Sequence, residues 1–94
     1  MQWHEKNYDI NGTSVTLEGT FEDSMIRIVA IVEIDNTDPT DGWSYNEMYS
    51  KPVNMWAHQE VLAEDILAKY MGMIRKCEKN LPMLVERVKL NKRI

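Results

Sequence analysis

Cys77, His4 and His58 are the residues of this 94-residue chain that could support nucleophilic or acid–base chemistry. A thiol nucleophile works only beside a base that takes its proton. Cys77 and His58 share one helical pattern but stand several turns apart along it, at about 1.5 Å per residue. The thiol therefore reads as a small buried apolar group. His4 falls at the frayed start of a strand. His58-x-Glu60 is half of a zinc-site pattern, but the Pro-Cys-x-x-Cys half is missing from a chain with one cysteine. The run Glu33, Asp35, Asp38, Asp41, Gly42 could gather oxygens around a hard cation such as calcium, yet EF-hand spacing is absent. It reads as a solvated acidic loop. Gly12, Gly19, Gly42 and Gly72 are isolated, so no phosphate-cradling loop is expected. No catalytic, metal-binding or cofactor-binding residue emerges, and the chain does not read as an enzyme.

What the chain has instead is sorted charge. Residues 1–74 hold thirteen acids against four bases, and residues 75–94 hold seven bases against two acids, giving the net −4. An acidic body with a basic tail constrains partners more than it constrains fold. Arg87, Lys89, Lys92 and Arg93 could touch phosphates, but the acidic body repels a nucleic acid and no aromatics are interleaved to stack bases. Direct nucleic-acid binding is not expected. No apolar run approaches the ~20 residues of a membrane span. Met1–Glu5 lacks the basic and apolar regions of a secretory signal. With a single cysteine, these features point to a reducing, intracellular (cytoplasmic) setting.

The elements that would position these residues read as one α+β domain over residues 1–94. Asn11-Gly12 is a strong signal for a two-residue hairpin, and Asp23-Ser24 offers a second. Counting outward from both turns pairs Phe21 with Ile26, Gly19 with Ile28, Leu17 with Ala30 and Val15 with Val32, all on one face. A slip of one residue would destroy that agreement. The result is a three-stranded antiparallel meander over 3–10, 13–22 and 25–35. His4 and Lys6 fall on the same apolar face, so strand 1 should be frayed or bulged at its start. Residues 36–52 read as a turn-rich loop, with a capping box at Ser44-x-x-Glu47. Pro52 then opens a long amphipathic helix over 53–80, whose apolar stripe runs through Tyr70, Ile74 and Cys77 and covers the meander. Leu81-Pro82 should end it. A basic element over 82–94 follows, as a short helix or a strand.

Three surface features carry the functional expectation. Counting places Trp3 opposite Thr20 on the outer sheet face, beside Arg27 in a cation–π pair. Val29 and Ile31 also point outward, so something should cover them. The loop carries Trp43, Tyr45, Met48 and Tyr49 with Glu47, and aromatics on irregular surface are frequent anchors. On the outer side of the helix, Val61, Ala68, Met71 and Gly72 form a thin apolar strip. Residues 28–50 contain Glu33, Asp35, Asp38, Asp41 and Glu47 and no Lys or Arg. Such a stretch can present anionic oxygens where phosphates normally bind. The expectation is a small acidic regulator or inhibitor that docks on a larger protein. In type it resembles the compact acidic proteins carried by bacteriophages, some of which act as nucleic-acid mimics. The alternative is a self-associating subunit, a homodimer through strand 3 or the helix strip.

Overall fold

In a computed structural model, the chain forms an α+β fold that describes residues 1–34, 42–53 and 63–92, with side chains between 67 and 91 in the last stretch. Four antiparallel strands, β1 (Gln2–Ile10), β2 (Thr13–Glu22), β3 (Met25–Glu33) and β4 (Trp43–Pro52), lie side by side in sequence order. One helix, α1 (Ala63–Lys92), packs across one face. The loop acids Asp35, Asp38 and Asp41 lie outside the described residues, as do His58, Glu60 and Val61.

The two tight turns set the parity of the sheet. Asn11 (φ 52°) with Gly12 (φ 84°), and Asp23 (φ 51°) with Ser24 (φ 63°), occupy the left-handed region at both central positions. That is the type I′ geometry whose twist matches the flanking strands. The Asp9 carboxylate accepts a 2.8 Å hydrogen bond from the Gly12 N–H and fixes the first turn. Leu17 then stands opposite Ala30, and Gly19 opposite Ile28, as counting from the turns requires.

Two departures from the sequence reading follow from the fourth strand and the helix. Residues 43–52 are not a loop but the edge strand β4, paired with β3 from Glu33↔Trp43 to Met25↔Pro52. Its alternation of Tyr45 and Glu47 outward with Asn46 and Met48 inward satisfies a pleat without any β-branched residue. The supposed C-terminal element is likewise part of α1, which runs through Pro82. Proline removes one backbone hydrogen bond and disfavours helix in the residue before it. Here Leu81, Leu84, Val85 and Val88 are all buried at helical spacing, and Pro82 is on the exposed side. Burying four apolar side chains at roughly 1.5–3 kcal/mol each outweighs a cost of about 3 kcal/mol for the proline.

The core lies between the inner sheet face and α1. Val15, Leu17, Ile26, Ile28, Ala30 and Val32 of the sheet meet Tyr70, Ile74, Cys77, Leu81, Leu84, Val85 and Val88 of the helix. Each edge strand carries a bulge. One lies between Gln2 and His4, and one lies opposite the Ile28/Val29 step. Each adds a second core-facing side chain at one level of the sheet: Trp3 with His4 in β1, and Met48 with Tyr49 in β4.

Candidate docking face

The β1 bulge relocates Trp3. It is 5% exposed and lies under the sheet, not on its outer face, so the expected Trp3–Arg27 pair does not form. A β-carbon on Gly19 would come within 2.7 Å of the Trp3 ring, so only glycine leaves room for it. The Trp3 ring lies 6.1 Å from Tyr70 and 6.0 Å from His4. Trp3 Nε1, His4 Nε2 and Tyr70 Oη are buried with no hydrogen-bond partner among the described residues. Burial pushes the His4 pKa below its usual value, against the pull of the Glu78 carboxylate, and Lys6 adds to the lowering. The Tyr8 hydroxyl donates a 2.7 Å hydrogen bond to Glu78 across the β1–α1 seam. Its pKa is pushed well up, first by burial and then by that bond.

Burial raises the Cys77 thiol pKa, the reverse of what a nucleophile needs. Among the described residues, no three His, Cys, Asp or Glu side chains gather as a metal site.

Met48 and Tyr49 also turn inward and pack against the core, so these two of the expected surface residues are structural. Met71, counted in the outer strip of the helix, packs inward as well, which leaves Ala68 and Gly72 exposed there. The remaining expected residues come together. Arg27, Val29, Ile31, Glu33, Trp43, Tyr45 and Glu47 all project from β3 and β4 onto the outer sheet face. Val29 and Ile31 are half-buried there, flanked by Glu18 and Thr16 on one side and Glu47 and Tyr45 on the other. β4 flanks them within the sheet rather than lying over this face, so the expected cover is not among the described residues. Trp43 is 41% and Tyr45 73% exposed.

Sequence reasoning missed how the first two strands contribute. Pairing parity puts Glu5 and Asp9 of β1, and Glu18 and Glu22 of β2, on this same face. Among the described residues the outer face thus carries six carboxylates and one guanidinium, with the Met1 ammonium 3.4 Å from one of the six, Glu22. Arg27 approaches Glu47 at 3.8 Å, a solvent-exposed pair worth little. Glu5 and Glu18 stand directly opposite one another, and Val29 and Glu47 continue their row across the sheet. Like charges at opposed positions cost stability. An open depression of about 380 Å³ lies at one end, lined by Asn7, Tyr8, Asp9, Gly12, Ser14 and Glu33. The signal for all this was the hairpin register itself, which assigns the outward set once it assigns the inward one.

The opposite side of the molecule has the opposite sign. Among the described side chains of α1, Lys69, Arg75, Lys76, Lys79 and Arg87 are exposed, as is Glu86. Met83 (73% exposed) and Leu90 (55%) lie among them. No described helix is long and apolar enough to cross a membrane. Comparison with protein-family models, with curated proteins and with solved structures finds no significant match, so these two faces are the basis for a functional reading.

Proposed function

We propose that this chain is a non-catalytic protein-binding module, a regulator or inhibitor that docks through the outer face of its sheet on a basic surface of a protein partner. The observation that carries the reading is the composition of that face: six carboxylates, one of them opposed to another, around exposed Trp43 and Tyr45. A face kept acidic at the expense of stability, with aromatic anchors at its β4 side, suits a partner bearing Lys and Arg. Glu33 and Glu47 are the described members of the anionic set that would stand in for phosphates in an inhibitor. Long-range attraction would speed encounter, and Tyr45 and Trp43 would slow release.

The test is affinity capture on the immobilised chain, quantified by mass spectrometry. Wild type should retain a discrete protein that both Tyr45→Ala and the pair Glu18→Lys/Glu47→Lys lose. If wild type holds nothing above bare resin, or all three retain the same proteins equally, the reading fails.

A further inference from the structure

The acidic sheet face and the basic helix face lie on opposite sides of one molecule, and each matches the other in charge and in apolar content. We infer that the helix face of a second copy of this chain is a partner for the sheet face, so that copies stack front to back. This rests on the reading of the outer sheet face as a docking surface and names an occupant for it.

Dimensions support the fit. The row Glu5, Glu18, Val29, Glu47 crosses four strands and is about 14 Å long at the usual strand spacing. Arg75, Lys76, Lys79 and Met83 occupy about 12 Å of helix at 1.5 Å per residue. Bases can therefore meet the carboxylate row while Met83 reaches the Tyr45 side. The opposed carboxylates Glu5 and Glu18, which have no ion pair among the described residues, gain counter-charges in the stack. A four-stranded face of nine- to ten-residue strands offers roughly 600 Å² per partner, the range of weak, reversible association. Because front and back are different surfaces, the contact is heterologous and leaves both ends open for further copies.

Light scattering at low ionic strength, over a range of protein concentrations, reads the stack directly. Wild type should show a mass that rises with concentration and returns to monomer at about 0.5 M salt, where screening shortens to a few Å. A front variant, Glu18→Lys/Glu47→Lys, and a back variant, Lys76→Glu/Lys79→Glu, should each lose at least tenfold in association while keeping the wild-type circular dichroism, and the front variant, relieved of the Glu5–Glu18 repulsion, should melt no lower than wild type. Mixing the two variants should restore association that neither shows alone, because the basic back of one meets the acidic front of the other. Decalysine titration separates the two readings. A strict monomer that binds decalysine through its front, with binding lost in the front variant alone, overturns stacking and leaves the docking face intact. A monomer whose front variant binds decalysine as well as wild type overturns both. Association that persists in both variants at unchanged strength also overturns front-to-back stacking.

Discussion

Trp3 and Gly19 act as one unit, and the pair explains why counting from the turns misplaced the tryptophan. Register transmits outward from Asn11-Gly12 only while the ladder is unbroken, and the bulge before His4 inverts the parity of everything beyond it. The sequence marked strand 1 as irregular through His4 and Lys6 on its apolar side; which residue would turn inward was not legible. Gly19→Ala would drive a β-carbon to 2.7 Å from a buried ring that cannot swing away. It should lower urea-unfolding stability by about 1–3 kcal/mol, the usual cost of overpacking. In a Trp3→Leu background the same change should be nearly neutral, and equal costs in both backgrounds would break the pairing. His4 makes a second residue-scale prediction. Its folded pKa lies below the unfolded 6.5, chiefly through burial. Below pH 6.5 the unfolded chain therefore takes up a proton that the folded chain resists, and stability falls as pH drops. It levels off only below the folded value. The urea midpoint of wild type should fall more between pH 7.5 and 5 than that of His4→Phe; parallel curves would show that this imidazole is not the cause.

At the scale of elements, the first three strands and their register were legible because two turns with positive φ and a continuous apolar face overdetermine them. β4 was not, for two physical reasons. Trp43–Tyr49 lacks Val, Ile and Thr, so its strand character lies in alternation alone. Ser44 and Glu47 also imitate a helix cap. Val29 and Ile31, apolar on the outward side of β3, were no clue to it, since β4 flanks them without covering that face. The helix was misjudged at Pro82, where local backbone preference argued for a stop and four buried side chains argued for continuation. Since Pro82 is exposed and α1 forms around it, Pro82→Ala should restore a backbone donor without losing a packing contact. The helix gains up to ~3 kcal/mol. The unfolded chain regains about 0.4–1 kcal/mol of freedom. A net stabilisation of about 2 kcal/mol is expected, read as a higher melting temperature. A lower one would mean that the proline holds a bend that α1 needs to fit the sheet.

Across the whole molecule, the charge segregation of the sequence becomes a segregation of front from back, because the acidic body forms the sheet and the basic tail forms one side of the helix lying behind it. Two electrostatic effects then compete within a single copy. Repulsion acts between neighbours on the front, where opposed residues such as Glu5 and Glu18 have β-carbons about 5 Å apart. Attraction acts between front and back, but it must cross the core, and the distance exceeds a Debye length of about 10 Å at 0.1 M salt. The short-range repulsion wins, so the isolated fold carries a net electrostatic cost that salt relieves. Stacking, in contrast, is an attraction between faces in contact, which salt weakens. The same titration should therefore move two observables in opposite directions. With protein dilute enough to be monomeric, the melting temperature should rise between 0.05 M and 0.5 M sodium chloride. Over that interval the scattering mass of a concentrated sample should fall to the monomer. Glu5→Gln/Glu18→Gln should flatten the first response by removing the closest like-charge pair, and weaken the second by removing two of the front's carboxylates. A melting temperature that falls with salt in the dilute sample would mean that front-to-back attraction dominates after all, and that the carboxylate face carries no stored repulsion for a partner to relieve.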